Sequence, residues 1–241
     1  MIDAMSEEKT TALVTGANKG IGFEIAAGLG ALGWRVGVGA RDDTRREEAV
    51  AKLRAGGADA FGVPLDVTDD ASVAAAAASL DRLDVLVNNA GITGGAPQEP
   101  TRISIDTMRK AVEVNVYGVV RVTNAMLPLL RRSAHPRIVT MSSSVGSLAR
   151  QSAGTGAGPV AAGYSPTKTY LNAVTVQYVR ELADTNIKIN LACPGYVATD
   201  LNGFHGVRTP EQGAAIAIRL AQIPDDGPTG GYFEDAGSIP W

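Results

Sequence analysis

The sequence predicts a single doubly wound α/β domain, a parallel sheet of about seven strands with helices on both faces. Three observations carry the prediction. Short apolar runs alternate with longer helical patterns along the chain. The runs are bounded by Gly, Pro, Asn or Asp and lack polar alternation, as strands covered on both faces require. The first run leads directly into a glycine-rich turn that opens a helical stretch.

Taken in order, strands are expected at Thr11–Thr15, Arg35–Ala40, Ala60–Leu65, Leu83–Asn88, Arg137–Met141 and Lys188–Ala192, with a weaker one at Gly230–Phe233. Helices are expected near Gly20–Leu32, Thr44–Arg54, Ala71–Leu80, Ile105–Arg131, Ala162–Asp184 and Pro210–Ala221. The alanine run Ala74–Ala78 follows Asp69 and Asp70 and precedes Asp81, so it reads as a helix with strong intrinsic propensity rather than low complexity. Ser147–Gly163, rich in Gly, Ala and Ser, reads as a loop. No repeat and no Pro/Ser-rich linker divides the chain. Residues 10–241 are therefore expected to form one domain behind a flexible tail at 1–9.

Composition narrows the functional classes. With 45% hydrophobic residues in 241, the chain can bury a sizeable core. A net charge of −3 gives no reason to expect nucleic acid or an anionic membrane as partner. Cys193 is the only cysteine, so no internal disulfide can form and a reducing compartment fits best. His135 and His205 lack metal-ligand spacing, so no metal site is expected. The first nine residues lack the apolar core of a signal peptide, and no apolar window is long enough to span a bilayer. A cytoplasmic location is expected.

The first strand runs into T-G-A-N-K-G-I-G at 15–22. Glycines at 16, 20 and 22 permit a tight turn and close helix–strand packing, and the helix N-terminus then favours a pyrophosphate. Two or three glycines also occur in purely structural turns; the position between first strand and first helix favours a dinucleotide loop, with Gly16, Asn18, Lys19, Gly20, Ile21 and Gly22 as its candidates. The second strand ends Gly39-Ala40-Arg41 with no acid before the arginine. A carboxylate there would bind the ribose hydroxyls of NAD, whereas a guanidinium can grip the 2′-phosphate of NADP. Arg41, with Lys19 as a second cation, favours NADPH over NADH. The plain alternative is a solvated strand end and an exposed loop lysine, and Asp42 and Asp43 leave room for it.

Tyr164 and Lys168 form Y-S-P-T-K at the start of a helical pattern. Residues four apart share a helix face, so the ammonium can stand near the phenol. Pro166 is tolerated only in a first turn, which places the helix start at about Gly163–Ser165. A free phenol titrates near pH 10, and lowering it by roughly 2–3 units needs about 3–4 kcal/mol. One ammonium about 4 Å away supplies about that much at an effective dielectric of about 20. Alone, a Tyr and a Lys at this spacing are commonly a half-buried ring beside a solvated cation. The strand Arg137–Met141 then ends in Ser142-Ser143-Ser144, putting hydroxyls at the ligand-binding edge of the sheet, where serines also serve as turn formers. Asn115, inside an apolar helical stretch, is either a satisfied structural amide or a polar relay behind Lys168.

Together these residues resemble the short-chain dehydrogenase/reductase family over nearly the whole chain. The resemblance rests on the glycine motif, Asp66-Val67, N-N-A-G at 88–91, Asn115, the strand-end serines, Y-S-P-T-K, and P-G-Y-V-A-T at 194–199. It implies a Rossmann-type fold. It also implies that Asp66 and Val67 contact adenine, that Asn89, Ala90 and Gly91 line the cofactor cleft, and that Pro194, Gly195, Val197 and Thr199 border the nicotinamide. By the same resemblance Tyr164 donates a proton, Lys168 lowers its pKa and binds the nicotinamide ribose, and Asn115 supports a water chain to the lysine. Ser143 aligns best with the catalytic serine, with Ser142 and Ser144 one position away.

A-N-K-G-I-G, A-R-D-D-T-R, C-P-G-Y-V-A-T-D, T-P-E-Q-G-A and the closing G-G-Y-F-E-D before Trp241 look most like the carbonyl-reductase branch. The gap from Ser143 to Tyr164 is longer than the family's usual spacing, which leaves monomer and homo-oligomer both open. Pro166 is an unusual occupant of its motif, and the short Leu201–Arg208 stretch suggests an open pocket. The expected activity is hydride transfer from NADPH to an aldehyde or ketone. Val145, Tyr196 and Phe204 are the candidate pocket residues, for an apolar or aromatic carbonyl substrate. The competing readings are a dinucleotide-binding sensor without turnover and a non-redox lyase on the same fold. Cys193 reads as a small buried residue at a strand end rather than a nucleophile.

Overall fold

In the computed structural model, residues 9–155 and 158–241 are described. Of the expected tail only Lys9 falls among them. Among the described residues eight strands form one sheet: β1 (Thr11–Thr15), β2 (Arg35–Ala40), β3 (Asp59–Pro64), β4 (Val85–Asn88), β5 (Arg137–Met141), β6 (Lys188–Ala192), β7 (Tyr232–Glu234) and β8 (Gly237–Ser238). Their order is β3-β2-β1-β4-β5-β6-β7-β8. All neighbours are parallel except β7 and β8, which make a short antiparallel hairpin. The chain builds outward from β1 through β2 and β3, then returns to place β4 on the other side. That reversal opens a crevice between β1 and β4 at their carboxyl ends, where open α/β sheets bind ligands.

Helices α1 (Gly20–Ala31), α2 (Asp43–Ala55), α3 (Asp70–Ala78), α4 (Ile105–Val112), α5 (Gly118–Leu130), α6 (Leu148–Ser152), α7 (Ser165–Glu181) and α8 (Pro210–Ala221) cover the two faces. Successive β1 side chains point to opposite faces. Ala12 and Val14 therefore join Ile25, Leu29, Val36, Val38, Ile216 and Leu220 in one layer. Leu13 joins Leu86, Val122, Met126, Leu130 and Ile189 in the other. Leu13 and Leu86 are wholly buried, and each such side chain contributes roughly 2 kcal/mol.

The structure corrects the expected elements in three places. The long helix expected at Ile105–Arg131 is two helices joined by a π-helical turn, Glu113–Tyr117, with Asn115 at its centre. Helix α7 starts at Ser165, within the Gly163–Ser165 start that Pro166 implies and inside the broader Ala162–Asp184 pattern, and it ends at Glu181. The Ser147–Gly163 stretch contains a short helix, α6, whose N-terminus is capped by the Ser147 side chain accepting from Arg150 N–H. Among the described residues no helix is long and apolar enough to cross a membrane.

Candidate active site

The floor of the crevice is a clasp between the ends of β1 and β4. Thr15 Oγ1 accepts hydrogen bonds from the main-chain N–H of both Asn89 and Ala90, each at 2.9 Å. Asn89 Nδ2 returns a bond to Thr15 O at 2.9 Å. Gly16 takes a φ of +66° on this clasp. A methyl group on Gly22 would stand 2.4 Å from Gly16 O and 2.5 Å from Asn89 Nδ2, so only glycine lets α1 start this close to the sheet. Half-buried Asn18 and Ile21 belong to the same turn.

The N-termini of α2, α3, α4 and α8 are each capped by a side chain, from Asp42, Asp69, Ser104 and Thr209. That of α1 has no side-chain cap, so its first N–H groups are left for something else. A glycine turn packed flat against the strand ends, with an uncapped helix behind it, fits the pyrophosphate of a dinucleotide.

Arg41 and Asp66 stand beyond the ends of β2 and β3. Asp66 Oδ1 accepts from Thr68 N at 2.9 Å and Thr68 Oγ1 at 2.7 Å. Burial works against the Asp66 carboxylate, but these bonds and the charges of Arg41 and Arg121 hold it below the usual carboxylate range. Val67 O accepts from Arg121 Nη1 at 2.7 Å. The neighbouring acids are occupied locally: Asp42 caps α2 through Arg45 N–H at 2.9 Å, and Asp43 pairs with Arg46 at 2.6 Å. Arg41 itself is exposed. Lys19 is exposed and paired with Asp200.

At the other end, the three serines separate. Ser142 is buried and its Oγ donates to Asn172 Oδ1 at 2.6 Å. Ser143 is half-buried and is the one of the three whose side chain bears on the Tyr164 phenol, favouring its ionised form. Ser144 turns its main-chain N–H toward the Cys193 sulfur. Ser143 is thus the serine at the phenol.

Lys168 is 4% exposed, and its Nζ donates to Met141 O at 2.8 Å while lying 5.6 Å from the centre of the Tyr164 ring. Burial lowers the Lys168 pKa to about 8. The Tyr164 phenol is pushed well above its ordinary value, by burial first and the nearby Cys193 second, against the opposing Ser143 side chain. In the protein alone, burial of the phenol outweighs the influence of the Lys168 charge. The ammonium spends its directed bond on a carbonyl, and desolvation of the phenol dominates.

Asn115 is wholly buried. Its Oδ1 accepts from Ile92 N at 2.8 Å, and its Nδ2 donates to Ile92 O at 2.8 Å and Thr167 Oγ1 at 3.0 Å. Thr167 Oγ1 in turn donates to Tyr164 O at 2.6 Å. Both amide hydrogens are used, so the side chain is a fixed clamp. It fixes the π turn, Ile92 and the Tyr164 peptide relative to one another. Gly91 lies between this amide and the lysine: a methyl there would be 3.3 Å from Asn115 Oδ1 and 3.8 Å from Lys168 Nζ.

The segment after β6 closes the crevice from above. Pro194 and Gly195 lead to buried Val197, which pairs with Arg208 as an isolated bridge. Thr199 reaches the glycine turn, where a methyl on Gly20 would be 3.5 Å from its Cγ2. The two walls of the crevice share one anchor, the β7–β8 hairpin. Glu234 takes both Arg150 guanidinium nitrogens, at 2.6 and 3.1 Å, and the adjacent Asp235 pairs with Arg208.

The expected pocket is only partly assembled. Val145 is half-buried beside the serine turn, but Tyr196 is 49% and Phe204 66% exposed, so both stand on the rim. Sequence reasoning missed Thr15, Thr167, Asn172 and Tyr232. Asn172 carried a signal, since it lies one turn beyond Lys168 on the same helix face. Tyr232 carried none.

The family model described as short chain dehydrogenase matches residues 10–206. Short-chain dehydrogenase/reductase 1 of Saponaria officinalis is 35% identical, over 94% of this chain and 94% of that one. The solved structure of salutaridine reductase from Papaver somniferum is 31% identical with a TM-score of 0.82, covering 94% of this chain and all of that one. The structure of an actinorhodin polyketide ketoreductase variant with NADPH is 30% identical with a TM-score of 0.82, covering 95% of this chain and 96% of that one.

Proposed function

Because the chain belongs to the short-chain dehydrogenase family, an oxidoreductase family, we propose that it is an NADPH-dependent reductase of an aldehyde or ketone, with Tyr164 as proton donor. The observation that carries the reading is the buried Lys168 ammonium 5.6 Å from the Tyr164 ring, with Ser143 beside that phenol at the carboxyl edge of the sheet. Among the relatives, a salutaridine reductase and a polyketide ketoreductase holding NADPH support it.

NADPH, when bound, supplies the hydride. The uncapped start of α1, with Gly16, Asn18, Lys19, Gly20, Ile21 and Gly22, holds the pyrophosphate. Arg41 takes the 2′-phosphate, and Asp66 and Val67 border the adenine. Asn89, Ala90, Gly91, Pro194, Gly195, Val197 and Thr199 line the nicotinamide end, where Lys168 also binds the ribose.

The Ser143 hydroxyl donates to the substrate oxygen as negative charge develops on it. Tyr164 passes its phenolic proton to that oxygen, and its raised pKa keeps the proton available at neutral pH. The phenolate left behind is stabilised by the same Ser143 hydroxyl and by the Lys168 charge. At the observed range that charge is worth about 3 kcal/mol at an effective dielectric of about 20. Asn115, through Ile92 and Thr167, keeps Tyr164 and Lys168 in register. The exposed rim at Tyr196 and Phe204 suits an apolar or aromatic carbonyl compound.

NADPH oxidation across a panel of aldehydes, ketones and quinones tests the reading. Turnover of a carbonyl class that Tyr164→Phe abolishes supports it. Cofactor binding without turnover of any member overturns it.

A further inference from the structure

Tyr232 lies on β7, far from Ser143 in sequence, and is 2% exposed. Its phenolic OH donates to the main-chain carbonyl of Ser143. A buried hydroxyl without a partner costs stability, and phenylalanine would fill the same space without that cost. The pairing therefore gives the hydroxyl a specific place, and its partner is the peptide that carries Ser143.

That carbonyl also accepts from Gly146 N at 2.7 Å. Two donors on one carbonyl fix the orientation of the peptide, and the Ser143 hydroxyl then falls on the Tyr164 phenol. The turn is held from the α7 side as well, where Asn172 accepts from Ser142 Oγ and donates to Gly146 O at 3.3 Å. The C-terminal segment runs beside this turn. Tyr232 packs on Trp241 with ring centres 5.7 Å apart. Ser147 Oγ donates to Pro240 O at 2.5 Å, and Ala149 N donates to Trp241 O at 3.0 Å.

We propose that Tyr232 is a positioning residue for the reaction: its hydroxyl orients the Ser143 peptide, so that the Ser143 hydroxyl stays on the Tyr164 phenol. This rests on the roles given above to Ser143 and Tyr164. The groups facing the phenol are Ser143, Lys168 and Cys193; those facing Tyr232 include Ser142, Asn172, Cys193 and Arg150.

The test compares wild type, Tyr232→Phe and Ser147→Ala, which loses the Pro240 tie and the α6 cap but keeps both donors to the Ser143 carbonyl. In Tyr232→Phe, kcat is expected to fall about tenfold while KM and the NADPH Kd stay within about twofold. The ionisation seen in the pH profile of kcat should rise by about half a unit, because the phenol loses part of a contact that favours its ionised form. Ser147→Ala should keep the wild-type kcat and profile. Unchanged kcat and profile in Tyr232→Phe, or the same shift in Ser147→Ala, overturns the proposal. Amide exchange at Gly146 in the cofactor-free protein gives a readout without turnover: protection should fall in Tyr232→Phe and persist in Ser147→Ala. A wild type that reduces no carbonyl, yet shows this exchange difference, overturns the reductase reading and leaves the Tyr232 contact standing. Unaltered exchange in Tyr232→Phe overturns the contact itself.

Discussion

Lys168 Nζ and the Tyr164 ring are 5.6 Å apart, centre to nitrogen, and the lysine's directed hydrogen bond goes instead to Met141 O at 2.8 Å. The lysine therefore acts on the phenol through charge and not through a bond. A buried ammonium with a single carbonyl partner is poorly solvated, which is why its pKa falls to about 8.

That depression has a sign that can be measured. Below pH 8 the folded and unfolded chains both carry the Lys168 proton, and the buried charge costs the folded state in full. As pH rises from about 8 toward the usual 10.5, the folded chain loses the proton first and the cost is relieved. Wild type should therefore gain stability relative to Lys168→Met by up to about 3 kcal/mol across that window. Urea unfolding of both proteins at intervals between these pH values checks it; a constant difference is the contrary result.

Tyr164→Phe should lower kcat by about 10²- to 10⁴-fold, the usual worth of a positioned proton donor. Ser143→Ala should lower it by about 10²- to 10³-fold, the range for one lost donor to a developing oxyanion. NADPH titration by fluorescence should show the cofactor still bound in both. Undiminished turnover in the Phe variant removes the proton-donor role.

Arg41→Asp should weaken NADPH by roughly 10- to 100-fold, the loss of one charged hydrogen-bonding site, and leave NADH within a few-fold. Dissociation constants for the two cofactors decide it. Equal loss for both assigns Arg41 to the strand end alone.

Asn115→Leu should strand the Ile92 N–H and C=O and one acceptor site on Thr167 Oγ1. Leaving such groups buried and unpaired costs about 2–4 kcal/mol, which lowers Tm by roughly 5–12 °C in a chain of this size. Calorimetry reads the shift, and a Tm within a degree of wild type contradicts the clamp.

Features made by neighbours in the chain were legible in the sequence. The β1 strand, the glycine turn and α1 are consecutive, and Tyr164 and Lys168 are one helical turn apart. Pro166 placed the start of α7 because a proline has few positions open to it. Features made across long separations were not. Nothing local marks Thr15 as the acceptor for two N–H groups after β4, or Tyr232 as the donor to Ser143. The π turn was hidden because one widened turn barely disturbs the apolar period around Asn115. The exposure of Tyr196 and Phe204 was equally hidden, since side-chain direction in a loop follows no period.

Glu234 and Asp235 are consecutive, yet they hold opposite walls of the crevice through Arg150 and Arg208. The two rims are therefore not independent variables for anyone altering substrate range. A substitution near Leu148–Ser152 that shifts Arg150 pulls on the same hairpin that restrains Tyr196–Arg208, so combined changes will show epistasis instead of adding. Variant libraries that randomise both rims together, with Glu234 and Asp235 left in place, sample the combinations this shared anchor allows.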